Sequence, residues 1–144
     1  MNPKRLRSEI EYLARNPMDG IDATPDESNS SVWKAKIAGP VETVYEGYNF
    51  YIHMQFPPEY PMKPPTVTVT SPTFHPNISK CGSICVDFLG SKWTPVYNIQ
   101  RILVSLQSLL SDPYIRSPLN GEAARCWSDK ELFLQKVQLY MKKG

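Results

Sequence analysis

The chemistry open to this chain of 144 residues rests on few side chains: three cysteines, Cys81, Cys85 and Cys126, and two histidines, His53 and His75. Cys81, Cys85 and His75 fall together in HPNISKCGSICVDFLGSKW, residues 75–93, a stretch with hardly any periodic hydrophobicity. His75 and the three thiols are four conceivable metal ligands. Their spacing does not match the paired Cys-x-x-Cys geometry of structural zinc, so neither a metal nor another cofactor is expected. A bond between Cys81 and Cys85 would close a short loop in a compartment that keeps thiols reduced. Cys126 lies in a helical pattern and reads as a small buried apolar residue. Nucleophilic catalysis is left for the loop. A free thiol has a pKa of about 8.5, so an ordered, exposed cysteine can attack a thioester without a dedicated base. Amide hydrolysis would call for a histidine base, and nothing in the sequence sets His53 or His75 beside Cys85. Acyl transfer between thiols fits this inventory better than proteolysis, although these residues do not name the acyl group.

The elements that must position such a loop follow from periodicity. Residues 3–15 read as a helix, with Leu6, Ile10, Leu13 and Ala14 at helical spacing, Pro3 in the first turn and Asn16-Pro17 as the stop. Lys4, Arg5 and Arg7 would form its solvated face. After a polar loop at 24–31, VWKAKIA and YNFYIHMQF alternate as half-buried strands, with His53 on the polar face of the second. A short extended segment is expected at 41–45, and a further strand in TVTVT, 66–70. Between these strands five prolines crowd into residues 57–65, which excludes a helix. Short connections without a crossover helix imply an antiparallel meander. The 75–93 loop carries Ile78, Ile84, Val86, Phe88, Leu89 and Trp93, enough apolar surface to hold it against a core; loops of this length are usually functional. Asn98 caps a strongly apolar helix over 99–111, closed by Asp112-Pro113. Two short helices follow, near 121–127 and after the capping box Ser128-Asp129-Lys130-Glu131. The order is that of an α+β domain, and the length suits a single domain spanning residues 1–144.

Sixteen basic against fourteen acidic residues leave a net charge of +2, far from the clustered positive field that nucleic acid binding needs. No segment has the apolar run of a membrane span, and the N-terminus lacks the apolar core of a signal peptide. With an odd number of cysteines, the expectation is a soluble intracellular chain with free thiols.

HPNI, GSICVDFL with Cys85 eight residues after Asn77, the W-T-P of 93–95, IQRILVSLQSLL with DP behind it, and FPPEYPMKPP upstream together resemble the ubiquitin-conjugating enzymes. The resemblance runs from Lys4 to about Met141, and the order and spacing of the motifs make it specific. It implies an N-terminal helix, a four-stranded antiparallel meander, the active-site loop, a central helix and two C-terminal helices. It looks like a minimal catalytic core without terminal extensions. By resemblance Cys85 accepts ubiquitin from an activating enzyme as a thioester, and passes it, with a ligase of RING or HECT type, to a substrate lysine. Asn77 would stabilise the oxyanion or hold the loop, and His75 would order the loop by hydrogen bonding. Asp87 would help deliver a neutral lysine; at the rim position the family has Asp or Ser, here Ser117. Ligase and activating-enzyme contacts are expected at Lys4, Arg5, Pro61, Met62, Lys63, Pro95 and Val96, with Met62 where many relatives carry Phe. Cys81 reads as an oxidation partner of Cys85 or a filler, and Asp22 places a charge where some relatives bind a second ubiquitin. A conjugating enzyme for SUMO or NEDD8, and an inert binding variant, are the alternatives; Cys85 argues against the second. A monomer in cytoplasm and nucleus completes these expectations.

Overall fold

The computed structural model describes residues 3–141. Helix α1 (Pro3–Arg15) leads into strands β1 (Ile21–Pro25), β2 (Val32–Ala38), β3 (Asn49–Gln55) and β4 (Thr66–Val69). After a long loop come α2 (Ile99–Ser111), α3 (Gly121–Cys126) and α4 (Lys130–Tyr140). The strands form one antiparallel sheet in sequence order, β1-β2-β3-β4. This is the expected α+β order, with the first strand in a different place.

Residues 41–45 are not extended. Glu42 takes φ +64°, and the Thr43 hydroxyl donates to the Pro40 carbonyl at 2.7 Å, which winds 41–47 into turns. Tyr45 is thereby driven into the core, where its hydroxyl donates to the Phe74 carbonyl at 2.7 Å. Gly39 is obligatory beneath it, because a Cβ there would lie 1.8 Å from the Tyr45 carbonyl oxygen. The missing strand is β1, an edge strand with only Ile21 and Ala23 facing inward, Asp22 facing out and Pro25 at its end. A charge and a proline suit an edge and mask the alternation.

The sheet's inner face supplies Trp33, Ile37, Phe50, Ile52, Met54, Val67 and Val69 to the core, and α2 supplies Ile99, Ile102, Leu103, Leu106 and Leu110. Asn98 caps α2 as expected, accepting the Arg101 N–H at 2.8 Å. On α1 the buried positions are Leu6 and Glu9, whereas Ile10 is 40% exposed. The helix is rotated from its apolar spacing because Glu9 finds three hydrogen-bond donors on that side, from Arg5, Tyr60 and Ile99. The cap of α4 is Asp129 rather than Ser128; its carboxylate accepts the Leu132 N–H at 3.1 Å. No described helix is long and apolar enough to cross a membrane.

Candidate active site

Residues 75–85 form a narrow hairpin hung on the free edge of β4. Ile78 bridges Ile84, Ser79 N–H is paired with the Ser83 carbonyl at 2.9 Å, and Thr68 of β4 bridges Ser83. Gly82 makes this docking possible: it sits at φ +91°, its carbonyl accepts the Val69 N–H at 2.8 Å, and a Cβ would meet the Val69 oxygen at 1.9 Å. Ile78 is buried, and it shares with Ile84, Leu106 and Leu110 the lining of a void of only about 10 Å³ between α2 and the sheet. Ile78, Ile84, Phe88, Leu89 and Trp93 of the loop therefore complete the core, while Val86 lines a groove beside Cys85.

Three polar side chains anchor the far arm. His75 is fully buried; its Nε2 lies 2.9 Å from the Leu109 carbonyl and its Nδ1 accepts the Asn77 N–H at 3.0 Å. With one nitrogen accepting, the other must donate, so the ring is neutral. Burial pushes its pKa down to about 4, against the weaker upward pull of the Leu109 bond. Both ring nitrogens are thus engaged with the backbone of the loop and of α2.

Asn77 is 1% exposed and pairs with the backbone of Tyr114 in both directions: Oδ1 accepts the Tyr114 N–H at 2.8 Å, and Nδ2 donates to the Tyr114 carbonyl at 2.5 Å. Its own carbonyl accepts the Cys85 N–H at 3.3 Å. One amide thus ties the 112–119 loop to the strand that carries Cys85. Both ends of the Asn77 amide are engaged by this pairing.

Cys85 is exposed just before a single 3-10 turn, Asp87–Leu89. The Asp87 carbonyl accepts the Gly90 and Lys92 N–H groups at 3.0 and 2.9 Å and closes the turn. Behind it Phe88 stacks on Tyr97 at 5.8 Å, Tyr97 on Trp93 at 5.4 Å, and the Trp93 Nε1–H donates to the Pro61 carbonyl at 3.0 Å. A groove of about 730 Å³ opens in front, walled by Cys85 and Asp87 on one side, by Ser105, Ser108 and Leu109 of α2 on the other, and by Asp112, Tyr114 and Ser117 at its end. Cys85, Asp87 and Ser117 are therefore brought together. Asp112 and Tyr114 were not expected there; Asp112 read only as a helix stop, and Tyr114 reaches the groove through a fold-level pairing with Asn77.

The other thiols are elsewhere. Cys126 is buried, as its pattern required. Cys81 is exposed at the hairpin tip. Three residues, Gly82, Ser83 and Ile84, separate it from Cys85 along the hairpin arm. No group of three or more metal-binding side chains occurs among the described residues.

The expected docking residues form a second cluster. Met62 and Val96 are 71% and 72% exposed, Lys63, Pro95 and Lys4 are exposed, and Pro61 is half-buried. Arg5 departs from the solvated face read from its spacing. It is half-buried, pairs with Glu9 at 3.0 Å and donates through Nη2 to the Tyr97 carbonyl at 2.9 Å.

A scaffold of meander, apolar central helix and edge-docked hairpin that presents one thiol beside a polar groove defines a class of cysteine-bearing α+β enzymes. The family described as ubiquitin-conjugating enzyme matches residues 5–141, and the chain belongs to that family. It is 50% identical to "Ubiquitin-conjugating enzyme E2-20 kDa" of Schizosaccharomyces pombe, with 94% of this chain and 80% of that protein covered. It is 43% identical to "Ubiquitin-conjugating enzyme E2 3" of Arabidopsis thaliana, with 89% and 85% covered. Among solved structures, a ubiquitin conjugating enzyme E2 domain of Toxoplasma gondii superposes with a TM-score of 0.85 at 33% identity, covering 96% of this chain and 98% of that one.

Proposed function

We propose that Cys85 is the nucleophile that carries ubiquitin as a thioester and hands it to substrate lysine. The observation that supports this reading most directly is that Cys85 alone of the three cysteines lines the groove. Its thiolate attacks the carbonyl of the thioester held by the activating enzyme, that enzyme's sulfur leaves as thiolate, and the Cys85 thioester forms. In the second step a lysine amine attacks the same carbonyl, the C–S bond breaks, and Cys85 is released as thiolate while the nitrogen loses its proton.

A lysine in water has a pKa of about 10.4, so the attacking amine must be delivered neutral. Asp87 and Asp112 place two carboxylates on the groove wall to hold the incoming ammonium and draw off its proton, and Ser117 supplies a hydroxyl in the position where the family has Asp or Ser. Asn77 and His75 hold the two sides of the groove at a fixed separation, with Asn77 acting through Tyr114. The exposed strip formed by Met62, Lys63, Pro95 and Val96, flanked by Lys4 and Arg5, is the docking face for the activating enzyme and for ligases of RING or HECT type.

The test is a charging reaction with ATP, ubiquitin and its activating enzyme, resolved on gels with and without reductant. Wild type should give an adduct that reductant removes, Cys85→Ser one that survives reductant as an ester, and Cys85→Ala none. Charging of the Cys85→Ala variant to the wild-type extent would overturn the assignment. Charging only by the SUMO or NEDD8 activating enzymes would change the modifier and keep the chemistry.

A further inference from the structure

Glu9 is the only carboxylate among the buried described residues, at 5% exposure. A charge out of water is costly unless it is paired and fully hydrogen-bonded. Glu9 meets that condition through three different segments. Its Oε1 accepts the Ile99 N–H at 2.6 Å, and its Oε2 accepts the Tyr60 hydroxyl at 2.6 Å and the Arg5 Nε–H at 3.0 Å. Ile99 opens α2, where unpaired N–H groups and the helix dipole favour a negative charge. Burial, reinforced by the charge of Glu9, raises the Tyr60 pKa well above its ordinary value, so the phenol stays a donor. Arg5 spans the same knot, lying 5.5 Å from the centre of the Tyr60 ring and reaching the Tyr97 carbonyl.

The three segments that converge on this side chain are the first helix, the turn that leads from Tyr60 into Met62, and the approach to α2 that carries Val96 and Tyr97. They are also the three segments of the docking face. We propose that Glu9 is a positioning residue for ligase-dependent transfer, touching neither the ligase nor the reacting atoms but fixing the spacing of the surfaces that present Met62 and Val96. The inference rests on the reading of that face as the ligase surface. Its physical content is that a rigid, prearranged strip binds its partner without the entropic cost of ordering three separate segments.

The experiment isolates the Cys85 thioester of wild type, Glu9→Ala, Glu9→Gln, Tyr60→Phe and Met62→Asp, and follows discharge onto free lysine during titration with a purified RING-domain fragment that accelerates the wild type. Glu9→Ala should raise the half-saturating RING concentration about tenfold, the scale of one lost charge-assisted hydrogen bond, while the rate at saturation stays within about twofold. Glu9→Gln keeps an acceptor for Ile99 and loses the Arg5 ion pair, so it should fall between wild type and Glu9→Ala. Tyr60→Phe removes a single hydroxyl and should shift the curve in the same direction; it carries the test if Glu9→Ala does not fold. Superimposed curves for wild type and these variants would overturn the proposal, as would a drop in the saturated rate with half-saturation unmoved, the pattern of a merely structural residue. Met62→Asp separates the two layers: if it shifts the curve and the Glu9 variants do not, only the positioning role falls. If Met62→Asp leaves the curve in place, the ligase surface itself is wrong and the role of Glu9 falls with it.

Discussion

Replacing Asn77 by alanine removes a side chain that ties the Cys85 arm to the backbone of Tyr114. Two hydrogen bonds are lost together, the Tyr114 N–H to Oδ1 at 2.8 Å and Nδ2 to the Tyr114 carbonyl at 2.5 Å. Each is worth about 0.5–1.5 kcal/mol net, and both backbone partners are left without their acceptor and donor, so the expected destabilisation is about 1–3 kcal/mol. For a chain of this size that lowers the melting temperature by roughly 3–10 °C. The sharper assay is local: amide hydrogen exchange at Tyr114 should quicken at least about tenfold at neutral pH, with α2 still protected. Discharge onto lysine should slow in the same variant, because Tyr114 and Ser117 would no longer be held opposite Cys85. Unchanged exchange at Tyr114 in Asn77→Ala would refute the clamp. Slow discharge with unchanged exchange would move Asn77 to a direct role on the oxyanion.

Gly82→Ala should cost at least about 2 kcal/mol and impair charging, since a methyl group at φ +91° would meet the Val69 oxygen at 1.9 Å; wild-type stability by chemical denaturation would contradict the hairpin docking. His75 titrates near 6.5 when unfolded and at about 4 when folded, so the unfolded state binds more protons between these values and stability falls as pH drops through that window. The loss approaches about 3 kcal/mol by pH 4 and should be absent from the pH slope of His75→Gln, measured by denaturation at a series of pH values. Ser117→Asp should speed discharge onto free lysine about two- to fivefold, the equivalent of ~0.5–1 kcal/mol for an exposed charge pair, and an unchanged or slower rate would count against the carboxylate's role there.

Elements held by their own periodicity were legible. The apolar stripe of α2 and its Asn98 cap occur where the residues put them, because thirteen residues with five buried positions leave little choice of face. What eluded the pattern was set by partners distant in sequence. Ile10 lost its place on the buried face to Glu9, whose donors come from residues 60 and 99. Arg5 looked like a solvated charge until Tyr97 supplied a carbonyl for it. The apolar residues at 41–45 suggested a strand, but Glu42 at positive φ and the Thr43 hydroxyl made a turn that buries Tyr45. At the site, Cys85 follows from the inventory of thiols, whereas Asp87 and Ser117 came with the family resemblance and not from any pattern of their own. Asp112 and Tyr114 could not be read from the sequence, because the amide of Asn77 brings their loop to the groove.

The most direct test of the account is intact-mass spectrometry of the charged enzyme, with wild type compared to a Cys81→Ser/Cys126→Ala double variant that retains only Cys85. Both should gain one ubiquitin, releasable by thiol reductant, to the same extent. Loss of that mass shift in the double variant, with the fold intact, would contradict the claim that Cys85 alone carries the thioester.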